Sequence, residues 1–151
     1  MKTLKYLVII LLFTVLPVNV MCVTSAEENK SVIYFEDGSY TITTIVSPET
    51  RASTNRVGTK KYEHYNASDE IQWIATITGY FTYDGTSCTC TYSSLNVDII
   101  NTQWSIVSGI SQESGNTATA ELVMSRKILG LIPTEKTLNM YISCDKNGNL
   151  S

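Results

Sequence analysis

The run Ile71–Tyr83, IQWIATITGYFTY, decides the fold. Its odd positions are Ile71, Trp73, Ala75, Ile77, Gly79, Phe81 and Tyr83. Its even positions are mainly Gln72, Thr76, Thr78 and Thr82, with Ile74 and Tyr80 as exceptions. Successive side chains of a strand point to opposite faces, so the odd set lines a core and the threonines meet water. Asp84-Gly85 follows and supplies the positive φ of a tight reversal into Thr86–Tyr92. A two-residue turn there pairs Tyr83 with Thr86, Phe81 with Cys88 and Gly79 with Cys90, which places both cysteines on the core face.

The same period extends in both directions. Upstream, Ser31–Phe35 and Tyr40–Val46 are β-branched and aromatic runs joined by Glu36-Asp37-Gly38-Ser39, a hairpin signal. Residues 47–58 are polar, contain Pro48 and read as a loop, and Thr59–Tyr65 is a further strand ended by a turn at Asn66–Asp69. Downstream the phase shifts to Leu95, Val97 and Ile99, which predicts a bulge or corner beyond Ser93-Ser94. Strands are expected from Trp104, over Thr117–Lys127 and over Lys136–Cys144, with turns at Ser114-Gly115-Asn116 and Asp145–Gly148. No window carries a helical stripe. Short strands with frequent turn signals predict an all-β chain folded as a single antiparallel β-sandwich.

That domain is expected to follow a cleaved signal peptide at 1–26. Lys2 and Lys5 precede an apolar run from Leu7 to Leu16, and Thr24-Ser25-Ala26 offers small residues for a cut before Glu27. A spanning helix needs about 20 largely apolar residues, and this stretch reaches that length only through Pro17, Asn19 and Met21. A lipid-bearing Cys22 lacks the small residue it needs ahead of it, because Met21 stands there. Residues 27–58 then form the N-terminal hairpin and polar loop, and 59–151 the sandwich. The expected location is extracellular, with no membrane-embedded segment left after cleavage.

Loss of Lys2 and Lys5 leaves nine of the eleven Lys and Arg against all fourteen Asp and Glu, taking the formal charge from −3 to −5. An acidic chain whose cations cluster only as Lys60-Lys61 and Arg126-Lys127 does not suit a phosphate backbone, so no nucleic-acid partner is expected.

Export decides how the cysteines read. Cys88, Cys90 and Cys144 remain after the leader. Alternate residues of a strand stand parallel roughly 6.5–7 Å apart, which disfavours a Cys88–Cys90 bridge. Cys144 shares the core face of the last strand and reaches the pair. Gly79 opposite Cys90 leaves room for sulfur whereas Phe81 crowds Cys88, so the expected disulfide is Cys90–Cys144, with Cys88 a candidate free thiol. Closing that loop would stabilise the fold by roughly 4 kcal/mol on loop-closure entropy. Zinc at the three cysteines lacks a fourth ligand, since His64 lies in another strand, and no metal or other cofactor is expected. Cys90, Trp104 and Cys144 also follow the Cys…Trp…Cys order of immunoglobulin domains, without the tyrosine two residues before the second cysteine, where Ile142 stands. An immunoglobulin-like arrangement of the sandwich is the resulting expectation.

Further motifs are DGSY at 37–40 with its TTI strand, RAST at 51–54, Trp73 with ITGYFTYDG, Cys90, Trp104, SGNTA at 114–118, and Cys144 with NGNLS at 147–151. In this order they resemble a family of small secreted β-rich proteins of unknown function from Clostridia-type Gram-positive bacteria, over about 115 of the 151 residues. The resemblance implies a bacterial origin, secretion and one β-domain, and it offers no catalytic residues. Cys88 looks like an addition to the family pattern.

Catalysis needs a nucleophile with a base or paired carboxylates in a cleft. His64 is the one histidine, and a Cys–His pair such as Cys88 with His64 is the nucleophilic combination to weigh. Asp69-Glu70 and Asp84 lie where turn chemistry accounts for them. The expected function is therefore non-catalytic binding of a surface protein or glycan through tyrosines among Tyr34, Tyr40, Tyr62, Tyr65, Tyr80 and Tyr92. Its alternatives are a secreted effector or bacteriocin-like protein, which the lack of a cationic amphipathic segment disfavours, and a hydrolase.

Overall fold

The computed structural model describes residues 30–46, 54–128 and 133–151; the expected leader at 1–26 and residues 47–53 of the expected loop lie outside the described residues. Eight strands follow in chain order: β1 (Lys30–Tyr34), β2 (Tyr40–Val46), β3 (Asn55–Tyr65), β4 (Ile71–Tyr83), β5 (Cys88–Ile99), β6 (Trp104–Ser114), β7 (Thr117–Arg126) and β8 (Thr134–Ser143). Every pairing is antiparallel. β1 to β5 form one sheet in sequential order and β6 to β8 a second. The chain is an all-β sandwich of five strands against three. β3 starts inside the stretch read as polar loop, and the β1–β2 hairpin continues the same sheet.

The immunoglobulin-like arrangement does not hold. Such domains exchange strands between their sheets through Greek-key connections, whereas here each sheet is a meander built from contiguous chain. Trp104 also packs far from the cysteines: it opens β6, and the cysteines gather beyond that strand's other end.

The alternation in Ile71–Tyr83 does set the core. Trp73, Ala75, Ile77 and Phe81 of β4 are buried against Ala118, Leu122 and Met124 of β7 and Met140 and Ile142 of β8. Each large side chain so buried contributes about 1.5–3 kcal/mol of transfer free energy. Small residues at Ala75, Ala118 and Ala120 let the sheets interlock.

The turn after β4 corrects the expected register. Tyr83 pairs with Cys88 and Phe81 with Cys90, so four residues form the loop instead of two. Asp84 explains the length. Its Oδ1 accepts the backbone N–H groups of Thr86 at 2.9 Å and Ser87 at 2.8 Å, which holds a wider turn closed. A slip of two residues keeps every side chain on its face, so both cysteines still point inward. Gly79 leaves no room for sulfur, since a Cβ there would lie 2.5 Å from Phe81 Cζ.

Three bulges interrupt the ladders, one of them at Val107 in β6, and the two in the larger sheet re-aim side chains. Tyr80 pairs with Tyr92 while Phe81 pairs with Cys90, so Thr91 is the extra residue that switches the phase ahead of Leu95 and Val97. That is the bulge the sequence predicts, a few residues earlier than Leu95. The second was not foreseen. His64 pairs with Trp73 and Tyr65 with Ile71, so Gln72 is extra and turns inward.

Candidate binding face

The outer face of the five-stranded sheet carries the expected tyrosines, with one exception. Tyr34, Tyr40 and Tyr65 are register partners on β1, β2 and β3 and form a row across three strands. Tyr40 stacks on Tyr65 with centroids 5.0 Å apart and planes 7° apart, and Tyr34 leans on Tyr40 at 5.9 Å. Such contacts add about 0.5–1.5 kcal/mol per pair beyond burial. Tyr34 is nonetheless 77% exposed.

The turn after β3 braces the row. Asn66 Oδ1 accepts the backbone N–H groups of Ser68 and Glu70, and Asp69 sits at φ 62°. Asp69 Oδ1 is thereby placed to accept the Tyr40 hydroxyl at 2.8 Å, which raises the Tyr40 pKa. Asp69 and Glu70 accordingly serve the turn.

A second pair, Tyr80 and Tyr92, lies on the same face with centroids 5.6 Å apart. Tyr65 and Val57, the register partner of Tyr80, are eight residues apart on β3, about 26 Å along an extended strand. Between the aromatic groups stand Thr59 and Thr78, whose hydroxyls lie 3.3 Å apart, and the Lys61–Glu63 ion pair at 2.6 Å. The exception is Tyr62, which is buried on the inner face and whose hydroxyl accepts the Tyr141 N–H at 3.3 Å.

The Cys88–His64 pair is not assembled. His64 lies level with Trp73 and Cys88 level with Tyr83, ten residues along β4 or roughly 33 Å apart. His64 is instead part of the core. It stacks on Trp73 at 4.7 Å, meets Trp104 edge-on at 5.6 Å and Phe35 at 5.5 Å, and its Nδ1 lies 3.0 Å from Thr41 Oγ1. Burial, reinforced by the Lys136 ammonium, lowers its pKa to about 4.

Lys136 closes this cluster from β8. Its ammonium sits 4.1 Å over the Phe35 ring and 2.9 Å from Asp37 Oδ2, and it donates to the Ser39 hydroxyl. Partial burial works against ionisation of Asp37, but hydrogen bonds from Ser39 and Lys136 prevail and hold its pKa at about 2. Gln72 completes the polar lining: Oε1 accepts from Trp104 Nε1 at 3.2 Å and Asn101 Nδ2 at 2.9 Å.

At the other end the three described cysteines are thiols. Cys88 lies beside Cys144, whose Sγ donates to Asp145 O at 3.5 Å; burial first, and then the neighbouring Cys88 thiol, push Cys144 up to about 12. Cys90 turns along its own strand, its Sγ donating to Tyr92 O at 3.5 Å. Among the described residues no group of three His, Cys, Asp or Glu side chains could hold a metal ion. Nor is any helix there long and apolar enough to cross a membrane.

Compared with known proteins, the chain matches no family model, no curated protein and no solved structure.

Proposed function

We propose that this chain is a secreted, non-catalytic binding module that holds a surface glycan on the tyrosine-bearing face of its larger sheet. The Tyr34–Tyr40–Tyr65 row carries the reading. Aromatic faces stack on the apolar faces of sugar rings, and a row pre-stacked across three paired strands loses little conformational freedom on binding. Threonine hydroxyls and the Lys61–Glu63 pair alongside supply donors and acceptors for an extended chain of hydroxyls. The basic and apolar start of the chain and its resemblance to small exported bacterial proteins support secretion.

A glycan array read beside a broad hydrolase panel tests the proposal on one sample. Saturable glycan binding weakened at least tenfold by Tyr34→Ala or Tyr65→Ala, with no turnover, is the expected result. Turnover that disappears in His64→Ala, or binding indifferent to both tyrosine changes, would overturn it. A protein ligand lost on the same substitutions would keep the face and replace the ligand class.

A further inference from the structure

We propose that Cys88 and Cys144 form a disulfide that ties the two sheets together at one end of the sandwich. The reading is independent of any ligand. It starts from the main chain, where the sheets converge on the β6–β7 turn. Cys90 N–H donates to Gly115 O at 2.8 Å, and Cys144 N–H donates to the adjacent Asn116 O at 3.0 Å. Asn116 Nδ2 returns a bond to Cys144 O at 2.8 Å, and Gly85 N–H donates to Lys146 O at 3.0 Å. Packed sheets normally stand about 10 Å apart, too far for a bridge that wants Cα atoms within roughly 4.4–6.8 Å. Here the Gly115-Asn116 turn carries the backbone of β5 at Cys90 and of Cys144 on adjacent residues, which draws the two sheets together at this end.

The side chains select the pair. Cys88, opposite Tyr83 at the start of β5, is half-buried beside Cys144 where the β4–β5 loop meets Lys146. Cys90 is more deeply buried, and its Sγ donates to Tyr92 O at 3.5 Å. The Cys144 Sγ donates to Asp145 O at 3.5 Å, a bond that oxidation gives up. Cys88 is also the cysteine that an external reagent can reach. Its thiolate attacks a low-molecular-weight disulfide, forms a mixed disulfide and releases one thiol. Cys144 then gives its proton to solvent, and its sulfur attacks the Cys88 sulfur and expels the second thiol. Two protein thiols are oxidised to one S–S bond, and the reagent's disulfide is reduced to two thiols. Cys144 is fully buried, so the second step is the slower one and the mixed disulfide accumulates transiently.

The test is oxidation of the full chain with oxidised glutathione, followed by non-reducing peptide mass spectrometry with fragmentation between Cys88 and Cys90. The expected product is a Cys88–Cys144 link that persists in Cys90→Ser and is lost in Cys88→Ser. Its melting midpoint should lie about 10 °C or more above that of the reduced chain. A link from Cys144 to Cys90 or Cys22, or a glutathione adduct that stays on Cys88, would overturn the proposal. Should Cys88→Ser fail to fold, Cys90→Ser decides alone: a link kept supports the pairing, and a link lost refutes it.

Discussion

The two ends of this sandwich solve the same problem with different chemistry. At one end Phe35, His64, Trp73 and Trp104 pack into a ring cluster in which His64 Nδ1 meets Thr41 and Trp104 Nε1 meets Gln72, while the buried Trp73 Nε1 has no partner. At the other, Cys88, Cys90 and Cys144 sit beneath turns joined through backbone hydrogen bonds. The aromatic end draws its strength from side-chain volume and ring contacts. The cysteine end depends on main-chain closure, so its side chains can change state without loss of the fold. Each end therefore has its own weakness.

The largest expected contrast comes from truncation. Trp73→Ala removes the centre of the ring cluster and should destabilise by about 3–5 kcal/mol, whereas Cys144→Ala under reducing conditions should lose only about 1 kcal/mol. Denaturant unfolding of both variants checks this, and equal losses would erase the distinction between the ends.

Opposite responses to pH come next. The folded-state pKa of His64 is lowered, so unfolded chains take up the proton first and stability is lost as pH falls from 6.5 to about 4. The loss should amount to about 3 kcal/mol across that window, in which Asp37, held at about 2, stays ionised. Cys144 behaves in reverse: its folded pKa is raised, so in the reduced protein its contribution is complete below 9 and lost as pH rises towards about 12. Urea midpoints from pH 4 to 10 for the reduced protein and for His64→Gln separate these effects, because the variant should flatten the acid limb alone.

The smallest expected effect lies in the turn above Cys144. Gly148 has φ +83°, and a Cβ there would stand 2.6 Å from Tyr83 Cζ. Gly148→Ala should destabilise by about 1–3 kcal/mol, and a Tyr83→Ala background should recover the part due to contact. Full recovery would show that backbone strain plays no role there.

The sequence made the strands legible and left their surroundings hidden. β2 and β4 match the expected runs residue for residue, because an uninterrupted two-residue period states both the element and its faces. Loop length is not written in that period. Asp84 turned a two-residue reversal into four by capping two amides, which set Tyr83 opposite Cys88 and Phe81 opposite Cys90. Gln72 was read as solvent-facing because a bulge needs the partner strand to be seen. Tyr62 shares its face with Lys60 and His64, and the charge hid a buried position that β8 covers. The tyrosine row was legible only as a list of candidates, since its alignment depends on two registers that the chain states separately.

The sequential order of the strands has a consequence for the order in which the protein is made. All five strands of the larger sheet lie within residues 30–99, and the last strand of its partner ends at Ser143. Hairpins between neighbouring segments close quickly, with little chain to bring together. A growing or newly threaded chain thus holds the material for a nearly complete sheet while Trp73, Ala75, Ile77 and Phe81 still lack their cover. That interval exposes the protein to sticking to its own copies, and it lasts until 44 more residues, from Ile99 to Ser143, have arrived.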